Sequence, residues 1–377
     1  RSCVSDRGGR GDQDVVADNK IRLRPILLLA ALTLLLSGCS HDVRSHLAGP
    51  FPKKLSAWRL FVGTGSDLKP NQGVVPYDLN TTLFSDYASK HRFVWMPQGR
   101  AAVYKADDTF DFPEGAILVK TFGYPDVALG GKERRIETRL LVRGTSEWFP
   151  LPYVWNAAQT DATLDMNADG VEVNWKNPAG GNFDIHYTIP NANQCRECHD
   201  QNKITGPIGP KARHLNRDLD YADGRFNQLA YWTRIGYLKG APDVGAVPRQ
   251  AVWDDPSTGT LEARARAYLE VNCAHCHSPK GAANNTGLYL SDLEADPARI
   301  GFCKTPVATG KASADMLFDS VRGHPETSIL VHRMASDEPK IMMPEIGRTV
   351  SHKEGVELIR EWLGSLKGNC EAARPSI

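Results

Sequence analysis

The sequence predicts an α+β protein in which an N-terminal β-rich, sandwich-like domain precedes a mainly α-helical region. Three observations predict it. Between residues 57 and 190, short apolar stretches (116–122, 135–143, Trp148–Trp155, 170–175, 183–189) alternate with turn chemistry: Phe112-Pro113-Glu114-Gly115, Gly130-Gly131, Asn177-Pro178 and Gly180-Gly181. Beyond residue 190 the apolar spacing becomes helical. A length of 377 residues, with 41% hydrophobic and 24% charged content, suits a globular chain of two or three domains and excludes disorder throughout.

The N-terminus reads as a targeting segment. Residues 1–19 do not begin with Met and read as an over-extended start. Lys20, Arg22 and Arg24 then form a basic region before an apolar run over 25–36. That run of 12 residues spans ~18 Å as a helix, too short for a ~30 Å bilayer core and right for the centre of a signal peptide. Leu36-Ser37-Gly38-Cys39 resembles a bacterial lipobox, which makes Cys39 the lipidated first residue of the mature chain. Ser40 follows it, not Asp, and this favours an outer-membrane anchor facing the periplasm. No second long apolar run exists, so a polytopic membrane protein is excluded. With 45 basic against 44 acidic residues, the chain lacks the charge excess of a nucleic-acid binder.

The elements follow in order. Residues 40–56 are polar with prolines and read as a tether. The β-rich domain covers 57–190, where Val171, Val173 and Trp175 keep a period of two. Asp165-Met166-Asn167-Ala168-Asp169-Gly170 matches the first half of a calcium loop, but Lys176 stands where the bidentate Glu belongs, so a β-turn is the expectation. Arg134, Arg135, Arg139 and Arg143 read as a solvated strand face, with docking of an acidic partner as the alternative. A first cofactor-binding segment covers 191–250, where Phe226, Leu229, Trp232, Ile235 and Leu238 mark a helical face. A last domain covers 258–370. Its first helix carries Leu261, Ala265, Tyr268 and Leu269. Its last helix opens at the capping box Ser351-His352-Lys353-Glu354, continues through Val356, Ile359, Leu363 and Leu366, and closes at Gly368. Tyr268 and Trp362 are expected where these two helices cross.

The chemistry lies in a repeated motif. Cys195-Arg196-Glu197-Cys198-His199 and Cys273-Ala274-His275-Cys276-His277 are both C-x-x-C-H, the attachment pattern of c-type haem. Two thiols three positions apart can each add to one vinyl group of the same porphyrin, and the adjacent imidazole then ligates the iron. Zinc ribbons pair their C-x-x-C units over ~15–20 residues, whereas 75 positions separate Cys198 from Cys273, and a histidine follows both pairs. The pattern therefore predicts two covalently attached haem c groups, with His199 and His277 as proximal ligands. The helical region is accordingly expected to be a c-type cytochrome region carrying two haems. Met343 is the favoured sixth ligand of the second iron, because it directly precedes Pro344 in the usual order of helix, C-x-x-C-H, long loop, Met and last helix; a thioether there would raise the potential relative to a second imidazole. Met342 is its alternative, with Met334 and His332 behind. For the first iron His214 is a candidate, against an open site, His186, Met166 or Lys211; a surface histidine is the plainer reading of His214. Cys303 and Cys370 remain, and in an oxidising compartment they are expected to pair.

Blocks over residues 55–367 resemble a family of largely uncharacterised bacterial dihaem c-type cytochrome lipoproteins. They are Tyr77-Asp78-Leu79-Asn80-Thr81, Leu83-Phe84-Ser85-Asp86-Tyr87-Ala88, Ile136-Glu137-Thr138-Arg139-Leu140-Leu141, Tyr153-Val154-Trp155-Asn156, both haem motifs, Ile208-Gly209-Pro210-Lys211-Ala212-Arg213, Met343-Pro344-Glu345 and Gly347-Arg348. The resemblance implies two haems and no defined reaction. It does not fix the first iron's sixth ligand, and His214 stands where that family carries other residue types. Genes of the family often neighbour a parallel β-helix repeat protein, which implies such a partner.

The functional expectation is electron transfer through two haems by a membrane-anchored periplasmic protein, exchanging electrons with periplasmic redox donor and acceptor proteins. The alternatives are a peroxidase-like oxidoreductase with one open catalytic haem, and a glycan- or partner-binding module with redox haems. Thr138, Arg139 and Trp155 either line a site or form core.

Overall fold

Strands of alternating burial run through residues 75–164, and in the computed structural model they form the sheet on which the rest of the chain packs. The structure describes residues 42–370 except 64, 66, 67, 127–129, 168 and 177–181. The targeting segment and Cys39 lie outside the described residues. The sheet is a six-stranded antiparallel meander in which each strand pairs with the next: β1 (Val75–Tyr77), β2 (Ser89–Trp95), β3 (Ile117–Pro125), β4 (Glu133–Arg143), β5 (Trp148–Trp155) and β6 (Ala162–Leu164). A bulge between Phe122 and Gly123 shifts the β3–β4 register, re-aiming side chains on either side of it.

One face is covered by the chain's own start. Trp58, Leu55 and Leu60 bury against Ile117, Leu140 and Tyr153, and the indole Nε1 of Trp58 donates to Tyr153 Oη at 2.6 Å. Segment 43–56 lies against the same face: Ser45 Oγ donates to the Gly115 carbonyl, and Phe51 packs on Phe149 and Trp58. The opposite face has three zones. At one end Val94, Leu118 and Leu141 pack on Leu215, Leu229 and Trp232. At the other, Phe122 and Tyr124 pack on a two-stranded ribbon, β7 (Gly170–Lys176) and β8 (Asn182–Thr188). Between them the face is charged.

This architecture corrects the expected fold class. The ribbon pairs only with itself, so the β-region is one sheet with an appendage and not a sandwich. The second half is not a mainly helical cytochrome region either. Among the described residues there are seven α-helices: α1 (Ala192–His199), α2 (Ala212–Leu215), α3 (Gln228–Arg234), α4 (Leu261–Cys273), α5 (Pro297–Ile300), α6 (Ile329–Ala335) and α7 (Lys353–Ser365). Only α4 and α7 reach 13 residues. Short strand pairs stand between them, at Asp218–Tyr221 with Gly224–Asn227, and at Leu238–Lys239 with Ala102–Val103. The cause is local. Phe226 and Leu238, expected on one helix face with Leu229 and Trp232, fall into these strands. The helix cannot extend across Asn227, whose side chain caps it by accepting from Leu229 N, and it ends before Gly236, whose φ is 79°.

Helices α4 and α7 cross as the sequence suggested, and the crossing is close. A Cβ built on Gly355 would lie 2.3 Å from Tyr268 Oη, so the phenol ring occupies the space a side chain would take. Trp362 is buried edge-on against Phe302. A disulfide joins Cys303 to Cys370 and ties the long α4–α7 connection to the chain end. Asp86 then fastens this half to the sheet half. Its carboxylate accepts from Thr349 N at 2.7 Å and Val350 N at 3.0 Å. No helix among the described residues is long and apolar enough to cross a membrane.

Replacing Gly355 with Ala tests the crossing. Alanine favours an exposed helix by about 1 kcal/mol, but overpacking costs about 1–3 kcal/mol. Urea unfolding should therefore show Gly355→Ala to be less stable than wild type. A more stable variant would mean that α7 shifts freely away from Tyr268.

Candidate cofactor and metal site

The first C-x-x-C-H is set by a helix start. Asn191 caps α1 in a reciprocal capping box with Gln194. The helix places Cys195 and Cys198 one turn apart, which puts them on the same side, and delivers His199 as its last residue. His199 Nδ1 lies 2.8 Å from the Gly206 carbonyl. A carbonyl only accepts, so Nδ1 carries the proton and the Nε2 lone pair is left for a ligand or metal. Burial holds the His199 pKa down to about 4 and pushes the Cys195 thiol up to about 11.

The second motif begins on the last residue of α4. After Cys273 the chain turns tightly, with Cys276 N and His277 N both donating to the Cys273 carbonyl. Gly281 comes so close behind this turn that a Cβ there would sit 2.3 Å from the Cys276 carbonyl oxygen. Burial lowers the His277 pKa to about 4 and raises that of Cys273 to about 12. His277 Nδ1 is buried with no hydrogen-bond partner among the described residues.

The two motifs converge. Cys198, His275 and Cys276 bring one ligand atom each within 4.8 Å of one another. A hydrogen bond with Cys276 favours the Cys198 thiolate and pulls its pKa down to about 4, while the same bond pushes Cys276 up. The loops behind them are joined by Asn202 N donating to the Lys280 carbonyl at 2.8 Å. Cys195, Cys198 and His199 open onto a cavity of about 440 Å³, and Ala274 and His275 of the second motif line its far side. Cys273 faces a separate small cavity of about 20 Å³, with Met334, Met343 and His352 around it.

Each candidate residue has a definite place. Met343 borders the small cavity beside Cys273, and Met342 does not. His332 lies on α6 with its Nε2 buried and without a hydrogen-bond partner among the described residues. His214 is not a surface histidine: it is buried on α2, lines the large cavity, and burial lowers its pKa to about 3. His186 is exposed on β8, where it pairs with Glu172. Asp165 forms a turn, accepting from Asn167 N. Thr138 and Trp155 are core, joined by a 2.9 Å hydrogen bond. The arginine run is not one solvated face. Arg135 stacks over Trp155, while Arg139 points to the cavity and is held by Glu137.

Sequence reasoning missed two features of the cavity wall. The first is the fully buried carboxylate of Glu270, one turn before Cys273 on α4. Lys211 and Arg213 of the α2 segment both donate to it, and Arg213 also pairs with Asp292. Burial opposes this charge, but Lys211 and Arg213 outweigh burial and hold the Glu270 pKa down, to about 2. The second is a row of cations across the sheet, Arg92, Lys120 and Arg139, in register on neighbouring strands β2, β3 and β4. One signal was available: Lys120 is the one charged residue in Ile117–Pro125.

Soft sulfur and imidazole donors in this arrangement suit either covalent haem attachment or a transition metal such as zinc. By residue type the donors suit haem attachment at each motif, with a cavity of about 440 Å³ at the first and only about 20 Å³ beside Cys273 at the second. Two thiol pairs are each followed by a histidine, His199 presents a free Nε2 to a large cavity, and Met343 stands beside the second pair. No family model, curated protein or solved structure matches the chain.

The Glu270 cluster makes a pH prediction. A carboxylate whose folded pKa lies below its ordinary 4.5 stabilises the fold above that value, and the contribution is lost as pH falls toward about 2. Glu270→Gln leaves two buried cations short of a partner. It should cost about 3–5 kcal/mol at neutral pH and flatten the loss of stability across that acid window. Urea titrations followed by circular dichroism at several pH values check both effects. A variant with wild-type stability and acid profile would remove the cluster from the account.

Proposed function

We propose that this chain is a dihaem c-type cytochrome that relays electrons in the periplasm, anchored through lipidated Cys39 to the outer membrane and exchanging electrons with periplasmic redox donor and acceptor proteins. One observation carries the reading. Two C-x-x-C-H motifs, 75 positions apart between Cys198 and Cys273, come together: Cys195, Cys198, His199 and His275 line one cavity, and Cys198, His275 and Cys276 bring one donor atom each within 4.8 Å of one another. Motifs placed together in this way would hold two redox centres as neighbours, which electron relay requires. The likeness of the sequence blocks to dihaem lipoproteins supports the same reading, and with it a parallel β-helix protein as a partner.

When bound, each haem supplies a one-electron Fe(III)/Fe(II) couple. Cys195 and Cys198, and Cys273 and Cys276, are the thiols that would attach the porphyrins. The Gly206 carbonyl keeps the Nδ1 proton of His199 in place and orients the ring. Burial keeps His199 and His277 neutral, the form that ligates. Met343, beside Cys273, offers a soft thioether that favours the reduced state. Arg348 donates to the Met343 carbonyl and holds that segment in place.

A second reading rests on the Cys198, His275 and Cys276 cluster, whose three donors would suit one zinc ion. The two readings predict different protein. Purified from a host that attaches haem c, the chain should carry two haems per polypeptide by pyridine haemochrome assay, still bound after denaturation. Cys195→Ser/Cys198→Ser and Cys273→Ser/Cys276→Ser should each lose one. Stoichiometric zinc without haem would contradict the proposal. Met343→Ala should remove the Met–Fe(III) charge-transfer band and lower one of the two midpoint potentials. If both stay as in wild type, Met343 is not the ligand.

A further inference from the structure

The cation row on the sheet has no structural explanation within the fold. Arg92, Lys120 and Arg139 sit side by side on β2, β3 and β4, and all three line the large cavity. They crowd the first motif: Arg139 acts on the charge of Cys195, and Lys120 on that of His199. Like charges on adjacent strands repel, and buried cations are costly without a partner. Their compensation is incomplete. Arg139 is neutralised by buried Glu137, which it grips through Nε at 2.8 Å and through Nη2. Arg92 gives Nη1 to Asp78 at 3.1 Å, but Asp78 is shared with Arg217. The other Arg92 nitrogen, Nη2, is buried and unpartnered, and Arg92 is only 5% exposed. Lys120 makes no hydrogen bond or ion pair among the described residues; its Nζ lies 4.9 Å above the Phe122 ring. The other lysines of the cavity are matched, Lys211 by Glu270 and Lys280 by Asp108.

Surplus positive charge on a rigid sheet, with an idle guanidinium nitrogen and an idle ammonium turned into a cavity, is what an anionic ligand completes. We propose that Arg92 and Lys120, backed by Arg139, form an anion seat for a carboxylate or oxyanion group held in the cavity beside Cys195 and His199. The chemistry has two possible sources. One is a propionate of the haem attached at the first motif, an assignment that rests on the function proposed above. The other is a free oxyanion that enters as a ligand or substrate.

The test uses the purified, full-length protein and two readouts. Calorimetric titration with inorganic phosphate, at constant ionic strength set with chloride, reads a free-oxyanion seat without relying on haem. Spectroelectrochemical titration across pH reads a propionate, because removing its cation raises its pKa and gives one midpoint potential a new pH dependence. Lys120→Met is the main variant; it removes a half-buried cation and should fold. Lys120→Arg is the rescue. Saturable phosphate binding, weakened about tenfold or more in Lys120→Met and restored in Lys120→Arg, supports a free anion. A changed pH profile of one potential in Lys120→Met, with no phosphate response, supports the propionate. A uniform shift of potential with an unchanged pH profile is only the through-space effect of a lost charge. That result, with no phosphate binding, overturns the seat. Purified protein without haem overturns the proposed function instead, and phosphate binding alone then decides the seat.

Discussion

The Glu270 carboxylate, buried between Lys211 and Arg213, is the contact on which the site depends. Glu270 is on the helix that runs into the second motif. Lys211 and Arg213 follow the first motif by little more than a dozen positions. Pairing them draws two stretches of chain, remote in sequence, onto opposite sides of one cavity, and the backbone bond from Asn202 to Lys280 closes the same gap from behind. A buried ion network of this kind contributes little net stability. What it provides is position, because Glu270 is paired with Lys211 and Arg213 only when the two stretches lie side by side. Asp86 does the same for the far end of the chain, holding Thr349 and Val350 to the sheet.

The sheet supplies the rigid wall. Its middle row is charged where its two ends are apolar, so the polypeptide covers the ends and leaves the middle open. The cavity is therefore a consequence of strand patterning: Leu118 and Phe122 recruit neighbours, and Lys120 between them does not. Both motifs are set by local structure, α1 by its Asn191 capping box and the turn after Cys273 by the close approach of Gly281. Positions fixed this way suit ligands that must be held without reorganisation.

Local signals were legible in the sequence, and the long-range ones were not. Strands at Ile117–Pro125, Glu133–Arg143 and Trp148–Trp155 announced themselves by apolar runs and turns, and α4 and α7 by period; the capping box expected at Ser351 is not formed, because His352 is the N-cap of α7 and makes no side-chain cap bond. The sandwich expectation failed because alternation says which residues share a face, not how many sheets they build. The helical expectation for the second half failed at Phe226 and Leu238, where an apolar residue every third or fourth position was met by a hairpin and a strand instead. The cysteine motifs were readable because each is a contiguous local pattern. The cation row was not, since Arg92, Lys120 and Arg139 become neighbours only through strand register. His214 illustrates the same limit: it reads as a loop histidine, and tertiary packing buries it.

On the dihaem reading proposed above, relay and catalysis would differ in whether an iron held by His199 kept an exchangeable position. The most direct measurement is the optical and EPR spectrum of the purified, oxidised protein with and without cyanide. Electron relay predicts two low-spin six-coordinate haems that cyanide leaves unchanged. A persistent high-spin haem that takes up cyanide would contradict it and make the large cavity a substrate site.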